Sequence, residues 1–378
     1  MSKAAQKKVY RLAEHSIAKI ECYRKYLEIY LAVLANTLYK SIYILDLFAG
    51  EGKDIDGNIC SSIAAAQVLD EHYKSDNKKC TSVTLFLNDP ENSVIEPEIK
   101  KIKRVKRFIE EISLPPAVKI VYGEKQFEEL IPSIITRLNN LQNGEKALCF
   151  IDPFGYKYSK PETIKDILLN GNTEVLLFIP ICFMHRFAAK AIKDNTFVEG
   201  KHIEEFISVL FQEKIPNIKN QIEFIKSIQS QFKIYLKIQY VDVLYIEKEK
   251  GQYFALYFFS NSKRGFQKML EAKWAVDELN GRGFAAKQAS MSNSLFADID
   301  HEDYSSLVLK EINSKGFLTN QEAFDFGLNN NHLPKHTKKV LDGLKKLNLI
   351  IVQTESGSPA AGYYLEDNHS KKILIKKR

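Results

Sequence analysis

Residues 46–52 read Asp-Leu-Phe-Ala-Gly-Glu-Gly and follow an apolar run that is only as long as a β-strand. Gly50 and Gly52 allow the backbone to turn sharply and to approach a ligand closely, because neither residue carries a Cβ atom. The helix expected after this turn offers free N–H groups at its first residues. These features predict a ligand-binding turn, although an ordinary turn after a strand also explains two glycines.

Three further strand ends carry polar groups. They are Asn88-Asp89, Gly123-Glu124 and the tetrapeptide 152–155, Asp-Pro-Phe-Gly. Open α/β sheets bind ligands at the carboxyl ends of their strands, where an acidic group after the second strand can bind ribose hydroxyls. A carboxylate after the third strand can accept a hydrogen bond from an amino group. A single acidic residue at such a place is usually a turn or capping residue, but four ends on one edge favour a shared binding site.

Apolar strands alternate with amphipathic helices over most of the chain. Strands are expected at 42–48, 83–87, 118–122, 147–151 and 174–179, and helices at 6–38, 60–69, 96–112 and 127–141. Strands that are apolar throughout indicate a parallel sheet covered on both faces. A hairpin at 234–247 and 252–260, turning around Lys250-Gly251, and a helix at 263–279 follow. The predicted fold class is α/β, a doubly wound Rossmann-like sheet of five parallel strands completed by an antiparallel pair.

The C-terminal part has a different pattern. Helices are expected at 304–314, 320–327 and 334–347, and two short strands at 349–353 and 362–366. Three helices with a two-stranded wing predict a winged helix-turn-helix, an architecture known for binding duplexes. The expected domains are 1–280 and 304–370, joined by a linker at 281–303 and followed by a basic tail at 371–378.

Composition limits the class of protein. The 378 residues are 45% hydrophobic and 27% charged, with a net charge of +7, which excludes a wholly disordered or fibrous chain and allows a polyanionic partner. No apolar run is long enough to span a bilayer, and no secretory signal is visible at the start. Five cysteines without a C-x-x-C spacing predict neither disulfides nor a metal site, and His332 and His336 beside Pro334 are not expected to bind zinc. A reduced cytoplasmic protein is expected.

The order of these motifs resembles the class I S-adenosylmethionine-dependent methyltransferases, and more closely the three-Cys-motif partner family. The likeness rests on the DLFAG-type turn and the Asp-Pro-Phe-Gly end of the fourth strand. It extends to five single residues, namely His15, Lys19, Arg186, Met269 and Trp274. The chain departs from the family pattern at Glu51, where proline is usual, at Cys60-Ser61-Ser62, and at Asn88, where glutamate is frequent.

The resemblance implies a cofactor, a partner and roles for single residues. The cofactor is S-adenosylmethionine, and the partner is a protein with a three-cysteine motif, as in bacterial defence systems or mobile elements. The methionine part of the cofactor would be held by Asp46, Phe48, Ala49, Gly50 and Gly52. Its ribose would face Asn88 and Asp89, and its adenine amino group would face Glu124. The catalytic candidates on the acceptor side are Asp152, Pro153, Phe154 and Arg186.

The tetrapeptide 152–155 also resembles the D-P-P-Y motif of methyltransferases that act on amino groups of nucleic acids. That chemistry needs a carboxylate and a carbonyl to hold an exocyclic amine, and an aromatic ring to stack a flipped base. Asp152, the Pro153 carbonyl and Phe154 offer these groups, whereas Gly155 replaces the final aromatic residue. A cytosine C5 mechanism is disfavoured, because the chain has no Pro-Cys pair. The alternative is that Asp152-Pro153 only ends a strand.

Two basic clusters remain. Residues 100–107 carry six cations in eight positions, and the favoured interpretation is the solvated outer face of a sheet-covering helix. The second cluster lies on the third helix of the C-terminal module and is predicted to bind nucleic acid through Lys335, Lys338, Lys339, Lys345 and Lys346. Many winged helices make only protein contacts, so that alternative stays open.

The sequence therefore predicts an S-adenosylmethionine-dependent methyltransferase that acts on nucleic acid or an associated substrate, together with a partner protein. The alternative is a non-catalytic, methyltransferase-like subunit that senses the cofactor or serves as a nucleic-acid-binding adaptor.

Overall fold

The protein is described from a computed structural model. The structure describes residues 10–37, 39–191, 198–212, 220–249, 252–277, 283–285 and 304–378. The chain divides into two compact units, one formed by residues 1–277 with 282–292 and the other by 278–281 with 293–378. Among the described residues, no helix combines the length and the apolar character that crossing a bilayer requires.

The first unit is built on an eight-stranded sheet in the order β3-β2-β1-β4-β5-β7-β6-β8. The strands in chain order are β1 (Ser41–Asp46), β2 (Val83–Asn88), β3 (Val118–Gly123), β4 (Glu145–Ile151), β5 (Thr173–Ile179), β6 (Tyr240–Glu249), β7 (Gln252–Ser260) and β8 (Gly283–Ala285). The first five strands are parallel, and β7 runs antiparallel to both β5 and β6. This confirms the predicted doubly wound sheet with its antiparallel pair.

Nine described helices accompany this sheet. They are α1 (Glu14–Ala35), α2 (Ser61–Lys74), α3 (Lys101–Glu110), α4 (Phe127–Asn139), α5 (Pro161–Leu168), α6 (Ile181–Ala191), α7 (Val198–Phe211), α8 (Gln221–Leu236) and α9 (Lys263–Val276). A single 3-10 turn at Tyr156–Tyr158 follows β4. Every residue of β5 is buried, as expected for a central strand with both faces covered.

Two sequence predictions near the hairpin were wrong. Residues 234–236 belong to α8, because Ile225, Ile228 and Phe232 continue a buried helical face to Leu236, and Lys237 then ends the helix with a φ of +53°. Residues 283–285, expected within a linker, form β8 and pair in parallel with β6. The rest of that linker, the expected turn at 250–251 and the expected helix end at 278–279 lie outside the described residues.

The second unit is a winged helix-turn-helix. Its elements are α10 (Tyr304–Lys315), β9 (Phe317–Thr319), α11 (Asn320–Asn329), α12 (Pro334–Lys346), β10 (Ile350–Thr354) and β11 (Ile373–Lys377), with an antiparallel sheet in the order β10-β11-β9. The three predicted helices form, and α11 begins with a capping box between Thr319 and Glu322.

The second strand of the wing lies later in the chain than predicted. Residues 362–366 do not form a strand, and Tyr364 has a φ of +49°, which an extended strand excludes. The expected basic tail instead provides β11, since Ile373 and Ile375 alternate into the core of the unit.

Candidate active site

A cavity of about 400 Å³ lies where β1 and β4 end. These two strands are neighbours in the sheet although β2 and β3 come between them in the chain, so the cavity occupies the topological switch point at which open α/β sheets bind ligands. Six residues predicted from the sequence line it, namely Phe48, Ala49, Gly50, Asp152, Pro153 and Phe154. The structure therefore brings the turn after β1 and the end of β4 into one site.

The two glycines of the turn after β1 have different surroundings. Gly50 has a φ of +68°, and a Cβ added to it would meet no atom closer than 4.0 Å, so this backbone faces open space in the cavity. Gly52 has a φ of +78°, and its added Cβ would lie 2.9 Å from the Phe108 ring of α3. Gly50 is therefore positioned for close approach to a ligand, whereas Gly52 serves the packing of the turn against α3.

Asp46 supports this turn from within the core. Its carboxylate accepts hydrogen bonds from the Ser61 hydroxyl at 2.6 Å and from the backbone N–H of Phe48 at 3.2 Å. Complete burial raises the pKa of Asp46 to about 7, because the charged form loses its hydration, and these two hydrogen bonds only partly offset that cost. Asp46 does not appear in the cavity wall, so it fixes the start of the turn from behind.

The start of α1 forms a wall of the cavity that was not predicted from the sequence. Lys19 is ion-paired with Asp152. The Lys19 side chain is only 7% exposed, and its ammonium lies 4.2 Å from the centre of the Phe178 ring. A buried ammonium needs such partners, because its desolvation is costly. The carboxylate expected to face the acceptor is therefore already bound to a cation.

His15 lies one turn earlier on α1. Its ring stacks on Phe254 with centroids 4.6 Å apart, and Phe254 stacks on Phe178 at 5.4 Å. Burial and the nearby Lys19 lower the pKa of His15 to about 4, so the imidazole is neutral at pH 7. Its Nδ1 atom is buried without a hydrogen-bond partner among the described residues. The signal in the sequence for this wall was the family resemblance at His15 and Lys19, which assigned neither residue a role in the site.

The end of β2 is engaged in internal contacts. The Asn88 side chain exchanges hydrogen bonds with the backbone of Lys125, at 3.0 and 3.1 Å, and it is fully buried. Asp89 accepts hydrogen bonds from the backbone N–H groups of Gly50 and Glu91, at 3.1 and 3.0 Å. Both side chains thus tie neighbouring loops together, and the ribose contact remains a prediction. Glu124 is exposed after β3.

A buried ion pair holds the turn after β1 against α3. Arg104 lies 2.9 Å from the Glu51 carboxylate and also donates to the Glu51 carbonyl at 2.8 Å. The same carboxylate accepts from Ser93 at 2.7 Å and from the Val94 N–H at 2.6 Å, in the loop after β2. The expectation that the cations of 100–107 are solvated was therefore wrong for Arg104, because Glu51 supplies a buried partner.

Lys101 is the second buried cation of this cluster. It is 3% exposed and pairs with Asp89 at 3.8 Å and with Glu91 at 2.5 Å. Phe154 lies over the Lys101 ammonium at 5.2 Å and is itself 70% exposed. The Phe154 ring thus lies at the surface of the cavity, and most of it is accessible to solvent.

The other predicted site residues lie elsewhere. Arg186 is exposed on α6 and is not part of the cavity wall. All five lysines predicted to bind nucleic acid are exposed on α12, and three of them, Lys335, Lys338 and Lys345, line a groove of about 600 Å³ in the second unit.

Comparison with known proteins agrees with this architecture. A family model described as GMT-like wHTH domain matches residues 283–357. No curated protein matches the chain. The strand order, with β7 inserted between β5 and β6, is that of class I methyltransferases, so the first unit has a methyltransferase-like fold.

Solved structures of low similarity include protein LPL1258 from Legionella pneumophila, with 13% identity, a TM-score of 0.37, and coverage of 70% of this chain and 92% of its own. The plantazolicin methyltransferase BamL, solved with a substrate analog and SAH, has 8% identity, a TM-score of 0.29, and coverage of 64% and 86%. Loganic acid methyltransferase with SAH has 11% identity, a TM-score of 0.25, and coverage of 98% of both chains. These TM-scores are too low to assign the fold, which is therefore assigned from the strand order alone.

Proposed function

We propose that the first unit is an S-adenosylmethionine-dependent methyltransferase whose site is the cavity at the ends of β1 and β4. The observation that carries this proposal is Gly50, which lines the cavity with a positive φ and with open space where a Cβ would stand. A ligand that lies against bare backbone needs such a residue. The cavity residues Phe48, Ala49 and Gly50 would hold the methionine part of the cofactor.

The bound cofactor would supply a methyl group on a positively charged sulfur, so the protein has mainly to align an acceptor with it. Asp152 and the Pro153 carbonyl are hydrogen-bond acceptors and would hold an exocyclic amine. Phe154, with most of its surface free, would stack on the base that carries this amine. Lys19 keeps the Asp152 carboxylate in place at the cavity wall. These roles favour an amino group of a nucleic-acid base as the acceptor.

The second unit would bring the nucleic acid to the enzyme. Three of the five exposed lysines of α12, Lys335, Lys338 and Lys345, would offer cations to phosphates from the groove that they line, and the family match supports a winged-helix role in binding. The resemblance to the three-Cys-motif partner family supports a protein partner as well.

One observation favours a second candidate function, a cofactor-sensing or nucleic-acid-binding adaptor without catalysis. Asn88 and Asp89, the groups expected at the ribose, are both occupied by internal hydrogen bonds. A cofactor would then gain little from them and bind mainly through the turn after β1.

Transfer of a tritiated methyl group separates the two functions. The full chain is incubated with labelled S-adenosylmethionine and with single-stranded DNA, duplex DNA, RNA or protein, and label is counted in each pool. Label in a nucleic-acid pool, absent with Asp152→Ala, supports the methyltransferase. Binding of S-adenosylhomocysteine without label in any pool supports the adaptor.

A further inference from the structure

A groove in the second unit runs between α12 and residues 360–365, and it is called the α12 groove here. Its volume is about 600 Å³. Lys335, Lys338 and Lys345 line it from α12. Ten residues of helix separate the first of these from the last, so the row of cations extends over about 15 Å.

The groove is lined by apolar side chains and by one carboxylate as well as by the lysines. Val352, Ala360 and Leu365 contribute apolar surface. Asp342 lies among the lysines, and one of its oxygens accepts a hydrogen bond from the Tyr363 hydroxyl at 2.9 Å. The other oxygen of this carboxylate remains available to accept a hydrogen bond from a bound molecule, because a carboxylate has several acceptor positions.

The three lysines border a concave surface. A winged helix reads duplex DNA by inserting a protruding helix into the major groove. On α12 the lysines 335, 338 and 345 instead border a hollow, closed on its other side by residues 360–365. Cations that follow a backbone, next to aromatic rings on which bases stack, are the features by which proteins hold single strands. Tyr364 is a partly exposed aromatic residue in the lining of this groove.

We propose that the α12 groove binds a single strand of nucleic acid, with phosphates at Lys335, Lys338 and Lys345 and with a base that carries an amino group at Asp342. A carboxylate is the side chain that accepts from the amino group of cytosine, whereas thymine has no such donor. This inference deepens the proposed function and rests on it for its biological purpose, since the strand would be the substrate delivered to the first unit.

Two double variants of the full chain test the role of the groove. Lys338→Gln with Lys345→Gln removes two cations that line it, and Lys339→Gln with Lys346→Gln removes their sequence neighbours, which are exposed outside it. Both pairs change the charge of α12 equally. Fluorescence anisotropy measures binding of labelled 12-residue oligo-dC, oligo-dT and a duplex of the same length over a range of salt concentrations.

The expected result is that the protein binds oligo-dC more tightly than the duplex. The groove pair should make the log–log salt dependence for oligo-dC shallower by about 1.4, since each phosphate contact on a single strand contributes about 0.7. The neighbouring pair should leave the dependence nearly unchanged. Equal effects of the two pairs, or tighter binding of the duplex, would overturn the proposal.

Asp342 is tested by base preference. The protein should favour oligo-dC over oligo-dT by about fivefold or more, the lower end for one specific base contact, and Asp342→Ala should remove this preference. An acidic peptide, poly-glutamate of the same charge as oligo-dC, is titrated in parallel, and equal affinity for it would contradict a nucleic-acid site.

Thermal stabilisation by S-adenosylhomocysteine is recorded for each variant. If the parent protein is stabilised by S-adenosylhomocysteine but does not bind oligo-dC, the groove is rejected and the proposed function of the first unit stands. If the protein binds oligo-dC but is not stabilised by S-adenosylhomocysteine, the groove is supported and the proposed function of the first unit is rejected.

Discussion

The ammonium of Lys19 on α1 is ion-paired with the carboxylate of Asp152 at the end of β4, across 133 positions of sequence. The lysine side chain is 7% exposed and the aspartate side chain 25% exposed. The helix that precedes the sheet is thereby joined to the proposed acceptor carboxylate. The pair makes α1 part of the active site rather than only a cover for the sheet.

A double-mutant cycle on this pair should show strong coupling. Asp152→Ala leaves the Lys19 ammonium buried without its partner, so the free energy of unfolding should fall by roughly 1 to 3 kcal/mol. Lys19→Met alone should cost less, because the aspartate is a quarter exposed and can be hydrated. Chemical denaturation of the two single variants and the double variant measures this.

The double variant is the control for the loss of charge. It should recover part of the stability lost in Asp152→Ala, since no unpaired buried ion remains. Additive effects of the two substitutions would mean that the ion pair contributes nothing, and that Asp152 merely ends its strand.

The turn after β1 should lose its ligand when Gly50 gains a methyl group. Gly50→Ala adds a Cβ to the cavity wall, and affinity for S-adenosylhomocysteine should fall by more than about tenfold, as expected when a tight contact is overfilled. Gly57→Ala is the matched control. Gly57 also has a positive φ, of +84°, but it is exposed and has no atom within 4 Å of an added Cβ.

Calorimetric titration measures the affinity of both variants for S-adenosylhomocysteine, and denaturation measures their stability. Together they distinguish strain in the backbone from loss of a ligand contact. Each should lose a similar amount of stability, about 1 to 2 kcal/mol for a side chain in the left-handed region. If both variants keep the affinity of the parent protein, Gly50 does not touch the ligand.

The buried Glu51–Arg104 pair should be important for stability. Arg104→Met leaves the Glu51 carboxylate with only its two remaining donors, and removal of one partner from such a pair typically costs about 3 to 5 kcal/mol. Lys103→Met, at an exposed position next to it on α3, should change stability by less than about 0.5 kcal/mol. Urea denaturation compares the two, and equal small effects would show that the turn after β1 does not depend on this contact.

The raised pKa of Asp46 predicts a dependence of stability on pH. Between pH 4 and about 7 the folded protein keeps the Asp46 proton that the unfolded chain, with an ordinary pKa near 3.9, has already lost. The contribution of this group to stability is therefore present at pH 4 and is lost as the pH rises toward 7.

Asp46→Asn carries no titratable proton and removes this dependence. Its stability relative to the parent protein should rise by about 2 to 4 kcal/mol between pH 4 and pH 8. Denaturation curves at several pH values measure the difference, and a constant difference would mean that Asp46 titrates normally.

The sequence predicted the sheet and one side of the cavity because their signals are local. Apolar runs of strand length gave the first five strands, and the turn at Gly50 and the end at Asp152 follow two of them directly. Strand ends on one edge of a parallel sheet converge whatever the intervening helices are, so the meeting of these two segments could be inferred.

Contacts between distant residues were not predictable in the same way. Arg104 looked solvated because its partner Glu51 lies 53 positions earlier, and nothing in the helical pattern of 100–107 marks that partner. His15 and Lys19 were noted only in the family resemblance, and their contacts with Phe254 and Asp152 link residues too far apart in the chain to be predicted. The strand at Ile373–Lys377 was not recognised because lysines flank its short apolar run on both sides. Its partners, Phe317–Thr319 and Ile350–Thr354, become its neighbours only in the folded unit.

Isothermal titration of S-adenosylhomocysteine into the full chain measures whether the cavity at the ends of β1 and β4 binds the cofactor. Saturable binding of one molecule per chain is expected, with an affinity that falls by more than about tenfold in Gly50→Ala and is retained in Gly57→Ala. A protein that unfolds cooperatively on heating and yet gives no binding signal with S-adenosylhomocysteine would contradict this expectation.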